Sequence, residues 1–381
     1  MALEYINGSD MKDTDPGLHV LALNSGSSSL KYGLFRVEAT GIDTLLSGEV
    51  ETHSTSIPSE ALTRIKTILG KSGLPQPDAI GHRIVHGGPA LRQHCVIDPS
   101  VLAKLELAIP FAPLHMPSTL SVIRFAQDNF PGIPQAACFD TTFHAGLPDV
   151  ARVLPIPKAL QAEGIQRYGF HGLSIESIVH QIGKALPSRV VVAHLGNGAS
   201  VTAVKDGRSI DTSMGLTPTG GVIMGTRSGD LDPGVLVYLM REKKLDAAAL
   251  EALVNRRSGL LGISGVSSDM RLLHEAASSN ADARLAIEMF CYSVRKQIAE
   301  MIAVLDGVDL LVFTGGIGEH DAPARSTICR GLSWIGVSLD EARNSSVSNP
   351  VNDSASRCAV QIIASQEDEQ IARHTWDLSP K

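Results

Sequence analysis

Two short turns rich in Asn, Gly and Ser constrain the fold of this chain more than any other feature. Each turn follows one apolar run and leads into another, in residues 21–35 of the first half and residues 191–204 of the second. This pattern predicts two β-hairpins at matched places in otherwise dissimilar halves. Small residues let backbone N–H groups approach an anion closely, and Ser hydroxyls add donors. Two such turns facing each other would bind the two ends of a polyphosphate.

Length and composition indicate a compact globular chain of two domains. At 381 residues the chain exceeds the size of one typical core. Its residues are 43% hydrophobic and 19% charged, which is typical of a folded protein. The net charge of −7, the aromatic content of 4% and the lack of a long basic run argue against nucleic acid or a membrane surface as a partner. No apolar stretch approaches the about 18 residues that span a bilayer.

The N-terminal segment and the cysteines indicate the surroundings of the protein. Residues 1–17 are acidic and lack an apolar signal core, so we expect a disordered leader there. The five cysteines are odd in number and scattered without Cys-x-x-Cys spacing. Such usage is typical of reduced thiols and predicts a cytoplasmic protein.

The order of predicted elements is similar in the two halves. In the first half we predict a hairpin over 20–37, a third strand near 44–52, a helix over 59–69, a strand over 79–86 that ends in a glycine turn, a loop over 110–117, a helix near 118–128 and a buried strand that delivers Asp140. In the second half we predict strands within 189–212, helices near 233–243, 246–255 and 282–305, a strand from Asp309 into a glycine turn, a strand over 358–363 and a helix from Glu367. Both halves begin with strands and then alternate strands with helices, which predicts two related α/β domains.

A glycine-rich loop over residues 214–234 contains one arginine, Arg227. The guanidinium is a planar, permanently charged fork that suits phosphoryl oxygens and carboxylates. A surface arginine in a flexible loop is the alternative, but the glycines on both sides and the nearby Asp230 favour a functional role. At the end of the loop, Asp232 and Pro233 predict the N-cap and the first residue of a helix, which is a structural role.

Three further polar residues lie on a strand, at a strand end and in a glycine turn: Arg83, Asp140 and His171. Each also has a structural interpretation, namely a strand ion pair, a helix cap and a hydrogen-bonded histidine. Together with Arg227 and the two turns, they describe a site for anion transfer where the protein neutralises charge and does little covalent chemistry. The sequence has neither a Walker-A motif nor the protein-kinase signature set, and its lack of His/Cys clusters favours Mg²⁺ held by oxygens.

These motifs, in this order, resemble those of a known family. The chain is similar to the acetate and propionate kinases of the acetokinase family, within the sugar kinase, heat-shock ATPase and actin superfamily. The resemblance is carried by residues 24–31, 81–88, 139–144, 168–172, 194–200, 211–215, 224–234 and 313–319. It implies two ribonuclease-H-like α/β domains with a cleft between them. Residues 18–140 with 367–381 would form the N-terminal domain, and residues 141–366 the C-terminal domain for nucleotide binding and dimerisation.

The resemblance also implies a reaction and the residues that perform it. The reaction is reversible phosphoryl transfer between ATP and acetate, giving acetyl phosphate and ADP by direct in-line attack, with Mg²⁺ or Mn²⁺ bound. The implied catalytic residues are Asp140, His171, Arg227 and Arg83, of which His171 and Arg227 stabilise the transition state. The implied substrate contacts are Arg83 and an apolar acyl pocket of Val85, Leu114, Phe170 and Pro218. The implied metal site consists of Asn24 and Glu367, and His115 lies near the phosphate path.

An ATP site is the last feature that the resemblance implies. Its residues are Lys31, His194, Leu195, Gly196, Asn197, Gly198, Asp269, Met270, Arg271, Gly315, Gly316, Ile317 and Gly318. Asn197 and Gly198 lie in the turn that contacts the phosphates, whereas Asp269, Met270, Arg271, Gly316 and Ile317 match the adenosine pocket. Gly316 leaves room for the base, which favours ATP over the pyrophosphate used by a rare branch of the family.

Two alternative functions stay open at this point. A propionate or short-chain acyl kinase resembles this chain apart from the size of its acyl pocket. Propionate-preferring members of the family tend to carry a smaller residue where Val85 stands, so the resemblance favours acetate. The preference is modest, since one methylene in an apolar pocket is worth about 1–3 kcal/mol. A nucleotide-switch ATPase of the actin or heat-shock class needs both turns but has no use for Arg83, His171 or an acyl pocket. The expected partners are the small substrates and, from the resemblance, a second copy of the chain in a homodimer.

Overall fold

Two mixed β-sheets form the framework of the chain. The computed structural model describes residues 17–26, 29–51, 58–71 and 73–379; the predicted leader, apart from Gly17, lies outside them. The strands of the first sheet are β1 (Leu18–Ser25), β2 (Ser29–Glu38), β3 (Gly41–Glu51), β4 (Ala79–Ile84), β5 (Cys95–Val96) and β6 (Gln135–Phe139). Those of the second are β7 (Arg189–Leu195), β8 (Ala199–Lys205), β9 (Arg208–Thr212), β10 (Leu310–Thr314) and β11 (Ala359–Ile362).

Both sheets have the same order of strands. In the first, β1, β2 and β3 form an antiparallel meander. Parallel strands β4 and β6 extend the sheet on the other side of β1, and the short β5 pairs antiparallel with β6 at the edge. In the second sheet, β7, β8 and β9 form the meander, and β10 and β11 are the parallel strands. This duplication confirms the predicted fold class of two related, ribonuclease-H-like α/β units.

The central strands of the second sheet are buried on both faces, and their composition explains this. Residues 190–193 of β7 and every residue of β10 are buried. Apolar, largely β-branched side chains fill both faces, as expected where helices cover the parallel part of a sheet. The partly exposed His194 follows the apolar run of β7. The sheet therefore presents a polar side chain at the carboxyl end of its strands, where ligands gather in open α/β sheets.

Helices cover the two sheets. The helices of the described residues are α1 (Pro58–Lys71), α2 (Pro99–Leu107), α3 (Met116–Asn129), α4 (Asp149–Arg152), α5 (Lys158–Ala162), α6 (Gly172–Ile182), α7 (Pro233–Glu242), α8 (Ala247–Arg256), α9 (Gly259–Ser264), α10 (Met270–Ala276), α11 (Ala281–Val304), α12 (Gly315–His320), α13 (Ala322–Arg330), α14 (Glu341–Ser346) and α15 (Glu367–Leu378). Turns of 3₁₀ helix lie at Ile109–Phe111, Thr142–His144, Gly183–Ala185 and Ser333–Ile335. No helix within the described ranges combines the length and apolar character that crossing a membrane requires.

Most predicted elements are confirmed, with small shifts at their ends. Both hairpins form, and α1, α7, α8, α11, β11 and α15 match predicted segments. Asp232 caps α7 as predicted, since its side chain accepts a hydrogen bond from the N–H of Gly234 at 2.9 Å and Pro233 opens the helix. These features are local, so neighbouring residues are enough to predict them.

Two local predictions are wrong. The glycine turn predicted after β10 is the first turn of α12, and the loop predicted over 110–117 ends where α3 begins, at Met116. Helices α2, α6 and α13 were not predicted. In α12, a tertiary contact stabilises a helix that its glycines disfavour: the buried Arg325 donates to the carbonyls of Gly318 and Glu319 at 2.9 and 3.0 Å.

Helix α15 returns to the first sheet and packs on β1, β2, β4 and β6. Its Ile371 and Ala372 are buried there against Val20 and Ala22 of β1. The close approach depends on Gly81 of β4, since a Cβ at that position would lie 2.2 Å from Oγ1 of Thr375 on α15. Because Gly81 has no side chain, α15 can pack closely on the first sheet, and its first turn lies near the end of β1.

We predict that Gly81→Ala destabilises the protein by about 1–3 kcal/mol, because the added methyl overpacks the contact with α15. Chemical denaturation would measure the change in the free energy of unfolding. The matched control is Gly70→Ala in the last turn of α1, where an added Cβ meets no atom within 4 Å. We expect the control to be neutral or slightly stabilising. Equal stability of the two variants would contradict the close seating of α15.

Candidate active site

A cavity of about 250 Å³ lies where the two hairpin turns meet. Its lining combines both turns with charged and apolar side chains from between them. The described residues that line it are Asn24, Gly26, Ser29, Lys31, Arg83, Val85, His115, Asp140, Phe170, His171, His194, Gly196, Asn197, Gly198, Pro218, Arg227 and Glu367. The structure thus brings together the predicted catalytic residues, the predicted metal ligands and most of the predicted phosphate turns.

The two turns occupy equivalent places in their sheets. In the first hairpin Asn24 pairs with Lys31, and in the second His194 pairs with Ser200. The first turn is closed by a hydrogen bond from the N–H of Gly26 to the carbonyl of Ser29 at 2.8 Å, and its residues 27–28 lie outside the described part of the chain. Both turns line the same cavity, as the sequence predicts.

Arg83 and Asp140 form a buried ion pair at the floor of the cavity. Adjacent parallel strands β4 and β6 bring them together, because Arg83 pairs in register with Cys138 and Asp140 follows the end of β6. Both Nε and Nη2 of Arg83 donate to Oδ2 of Asp140, at 2.9 and 2.5 Å, and Nη1 donates to Oδ1 of Asn24 at 3.2 Å. Burial raises the pKa of Asp140, and the charge of Arg83 acts against that rise. The side chain of Asp140 contacts this arginine and caps none of the described helices, while its backbone carbonyl accepts from the N–H of Gly172 at the start of α6 at 2.8 Å.

Oxygen atoms suited to Mg²⁺ surround this ion pair. Oδ1 of Asp140 is buried and has no hydrogen-bond partner among the described residues. Nδ2 of Asn24 donates to Oε2 of Glu367 at 3.1 Å and to Oδ1 of Asp368 at 2.8 Å. Burial alone would raise the pKa of Glu367, but Arg83 and His194 hold that pKa below its usual value. An unpartnered carboxylate oxygen beside an ionised glutamate fits a hard divalent cation.

A second group of metal-ligating types lies elsewhere: His94, Glu176 and His374, with ligand atoms within 4.8 Å of one another. The N–H of Phe139 donates to Nδ1 of His94 at 3.0 Å, so the one lone pair of this neutral ring is already in use. Oε2 of Glu176 lies 2.9 Å from Nε2 of His374. The Glu176–His374 hydrogen bond links α6 to α15, and the His94 ring contacts the His374 ring with centroids 3.9 Å apart, so we assign no metal to this group.

Arg227 differs from Arg83 in having no counter-ion within the part of the chain that the structure describes. Its Nη1 donates to the backbone carbonyl of Pro218 at 2.7 Å, and among the described residues it forms no ion pair. Burial and the nearby charge of Arg83 lower the pKa of Arg227 to about 10. The side chain is therefore still a cation at neutral pH, and its charge is available to an anion in the cavity.

His171 presents a neutral imidazole to the same cavity. It precedes α6 with a left-handed backbone, at φ of 58°. Burial lowers the pKa of His171 well below its usual value, and His194, Arg83 and Arg227 lower it further. Its Nδ1 lies 2.9 Å from Oγ of Ser200, and its ring stacks on His194 with centroids 4.2 Å apart. When the Ser200 hydroxyl donates to Nδ1, the ring carries its proton on Nε2 and can donate it to an anion.

Gly198 separates the two groups that could bind one anion together. A Cβ at this position would lie 3.1 Å from Nη2 of Arg227 and 3.2 Å from Nε2 of His171. The absence of a side chain thus keeps a space between one cationic and one neutral donor. Both donors face the turn that follows β7, where the sequence predicts phosphate binding.

The predicted acyl pocket is divided between two cavities. Val85, Phe170 and Pro218 line the first cavity. Leu114 instead lines a neighbouring cavity of about 520 Å³, which shares His115 and Pro218 with the first. Burial lowers the pKa of His115 to about 4, and Arg227 and Arg83 lower it further, so the wall between the cavities is uncharged at neutral pH.

The predicted adenosine residues lie beside the cavity but do not line it. Gly315, Gly316, Ile317 and Gly318 form the start of α12, and a Cβ at Gly196 would lie 3.9 Å from the N atom of Gly316. Asp269 caps α10 and pairs with the exposed Arg271 at 2.6 Å, while Met270 is buried in the core. Leu195 is a buried strand residue. Their role in binding ATP stays a prediction.

Sequence reasoning missed several residues that orient the site. Ser200 orients His171, Ser174 contacts Nδ1 of His194 at 2.8 Å, and Asp368 accepts from Asn24. Ser200 and Asp368 are adjacent to predicted residues, so the motifs themselves contained the signal. Pro218 was predicted as an apolar wall, but its contact with Arg227 is through a backbone carbonyl, for which no side-chain pattern exists.

Two sheets of duplicated order, each presenting a hairpin turn to one cavity, define a two-unit, ribonuclease-H-like fold, and Arg83, His171 and Arg227 between the turns indicate the phosphotransferase class within it. The model of the acetokinase family matches residues 49–373, and the chain belongs to this family. The acetate kinase of Methylocella silvestris is 41% identical, covering 94% of this chain and 97% of its own length.

Solved structures of the same family agree over nearly the whole chain. The acetate kinase of Porphyromonas gingivalis is 34% identical, with a TM-score of 0.83 and coverage of 95% of this chain and 99% of its own. A propionate kinase from Francisella tularensis is 37% identical, with a TM-score of 0.86 and coverage of 95% and 100%.

We predict that Gly198→Ala weakens anion binding in the cavity about tenfold, because the added methyl occupies the space between Arg227 and His171. Isothermal titration with tripolyphosphate would measure the affinity. Gly215→Ala is the matched control, since an added Cβ there meets no atom within 4 Å. If Gly198→Ala bound tripolyphosphate as tightly as the control, the two donors would not share an anion.

Proposed function

We propose that this protein catalyses reversible, ATP-dependent phosphorylation of acetate to acetyl phosphate, with ADP as the other product. The observation that carries the proposal is the uncompensated Arg227 beside the neutral His171, in a small cavity that also has an apolar wall. A positive charge and a neutral donor suit the phosphoryl oxygens, and the apolar wall suits a methyl group. The relatives named acetate kinase support the same reaction.

In the proposed mechanism, a carboxylate oxygen of acetate attacks the γ-phosphorus of ATP in line. The new O–P bond forms as the bond to the β,γ-bridging oxygen breaks, and ADP leaves with that electron pair. Arg227 and His171 donate to the oxygens of the moving phosphoryl group, where negative charge is spread. Arg83 orients the carboxylate; three of the five N–H donors of a guanidinium are already used in its bonds to Asp140 and Asn24.

We propose that Glu367, Asn24 and the unpartnered Oδ1 of Asp140 hold Mg²⁺ or Mn²⁺ in the complex with ATP. The ion, when bound, would neutralise charge on the nucleotide phosphates. Glu367 is suited to this role because it is ionised at neutral pH, which its neighbours Arg83 and His194 ensure.

We propose that the catalytic cleft lies between residues 18–140 with 367–381 and residues 141–366. The packing of α15 on the first sheet supports the assignment of the C-terminal segment to the first unit. Closure of the cleft on both substrates would exclude water from the reacting phosphoryl group.

The preferred acid is proposed to be acetate, with propionate as the alternative. Val85, Phe170 and Pro218 leave a small apolar space. One extra methylene changes binding by about 1–3 kcal/mol, so discrimination by size is modest. The propionate kinase structure at 37% identity keeps the alternative open.

We expect kcat/KM to be highest for acetate, lower for propionate and lowest for butyrate, with no ATP turnover when carboxylate is absent. Arg227→Ala should lower kcat about 10²–10³-fold, because a cation that binds the transferred group is lost. The assay is coupled ADP release with Mg²⁺. Arg208→Ala on the exposed edge of β9 is the matched control. Carboxylate-independent ATP turnover would instead support a nucleotide switch.

Arg83→Ala is a less diagnostic variant than Arg227→Ala. Removal of Arg83 leaves the buried carboxylate of Asp140 without a counter-ion, which typically costs about 3–5 kcal/mol of stability. A loss of activity in that variant would therefore combine a catalytic effect with a loss of folded protein. Removal of Arg227 leaves no carboxylate unpaired among the described residues.

We propose that the protein is a homodimer and that it works in the cytoplasm. Helix α11 presents Leu285, Met289 and Tyr292 on one face, and Val235 and Tyr238 of α7 are also exposed. Apolar residues at this spacing are typical of an unpartnered interface. All five cysteines are free thiols in the structure, which supports a reducing compartment.

We predict that Tyr292→Glu converts the dimer to a monomer, because a buried charge at an apolar interface costs several kcal/mol. Light scattering after gel filtration would give the mass, and Tyr292→Phe should stay dimeric. A wild-type protein with the mass of one chain would refute the dimer.

A further inference from the structure

Among the described residues, the side chain of Arg227 makes a single hydrogen bond, to a backbone carbonyl. Its Nη1 donates to the carbonyl of Pro218 at 2.7 Å, whereas Arg83 has two carboxylates within 4.0 Å. A cation without a counter-ion has no ion pair to fix its direction. The position of one carbonyl therefore sets where this charge points.

The residue that follows Pro218 is hydrogen-bonded to the end of α8. Oγ1 of Thr219, the next residue, donates to Oδ1 of Asn255 at 2.6 Å. Asn255 lies in the last turn of α8, and its backbone carbonyl accepts from Oγ1 of Thr226 at 2.8 Å. Asn255 thus hydrogen-bonds both to Thr226, the neighbour of Arg227, and to Thr219, the neighbour of the Pro218 acceptor.

Hydrogen bonds, more than packing, keep α8 in place. None of its side chains is fully buried. The neighbouring cavity of about 520 Å³ lies against Ala247, Glu251 and Asn255, so packing is incomplete on that side as well. The N–H of Ser228 donates to the carbonyl of Val254 at 2.9 Å, which adds a second link to the Arg227 segment.

We propose that Asn255 is a positioning residue for Arg227: its amide oxygen holds Thr219, and thereby holds the Pro218 carbonyl where it directs the guanidinium into the cavity. The inference rests on the proposed function for its kinetic consequence, but its structural content is independent of the reaction. The hydrogen bond from Oγ1 of Thr226 to the backbone carbonyl of Asn255 does not involve the Asn255 side chain, so it survives a substitution there. The role of the amide oxygen can therefore be tested separately.

The test compares Thr219→Val, which removes the hydroxyl at constant shape, with Thr219→Ser, which keeps it. We expect Thr219→Val and Asn255→Ala each to lower kcat about tenfold, while KM for ATP changes less than twofold, because the nucleotide turn is untouched. Thr219→Ser should recover most of the activity. Equal kcat in Thr219→Val and the wild type would overturn the proposal.

A double-mutant cycle separates positioning from general damage. In the Arg227→Lys background the guanidinium fork is absent, so Thr219→Val should add less than a twofold loss. A full tenfold loss in that background would show that Thr219 acts elsewhere, and would overturn the proposal.

Crystal structures of the variants give a readout that does not depend on activity. We expect the distance from Nη1 of Arg227 to the Pro218 carbonyl to exceed 3.5 Å in Thr219→Val and to stay near 2.7 Å in Thr219→Ser. An unmoved Arg227 in Thr219→Val would overturn the positioning role. A wild-type protein that phosphorylates no carboxylate would refute the proposed function, and the structures would still test the inference.

Discussion

The structure depends on how two arginines of like charge are held at one small cavity. Arg83 is compensated by Asp140, with Glu367 nearby, so that it is an ion-paired part of the floor. Arg227 has only a carbonyl partner among the described residues, and the charge of Arg83 adds to burial in lowering its pKa. This asymmetry leaves the charge of Arg227 available to an incoming anion. A second compensating carboxylate would cancel the charge that phosphoryl transfer needs.

The duplicated sheets explain why the charges meet where they do. The first turn of each meander, between β1 and β2 or between β7 and β8, lines the cavity, and the parallel strands beside it deliver side chains at their carboxyl ends. Arg83 lies on one such strand, and Asp140 follows its neighbour. Gly81 allows α15 to sit close to the first sheet, which brings Glu367 within reach of Asn24. Glu367 therefore contacts Asn24 although the two residues lie more than 340 positions apart in the sequence.

Much of the site was predictable because its signals are local. Asn, Gly and Ser turns between apolar runs define hairpins over a few residues, and Asp232 with Pro233 defines a helix start. Arg227 was also predictable as a functional residue, because a single arginine in a glycine-rich loop is unusual for a structural segment. The prediction of a turn failed at α12, which opens on glycines, because the side chain of Arg325 donates to the carbonyls of Gly318 and Glu319 and the apolar pattern carries no signal for such a contact. The assignment of Leu114 to the acyl pocket stays a prediction, since Leu114 lines a neighbouring cavity that shares His115 and Pro218 with the first.

The sequence by itself determined the duplicated α/β plan, the two turns and the kinds of side chain that the site contains, since each follows from the order of nearby residues. Only the tertiary structure decided how those side chains are paired. It placed Asp140 against Arg83 and left Arg227 with a carbonyl, and it put Ser200 behind His171. The reason is physical: charge compensation and hydrogen-bond direction depend on distances across the fold, and the order of residues along the chain does not contain those distances.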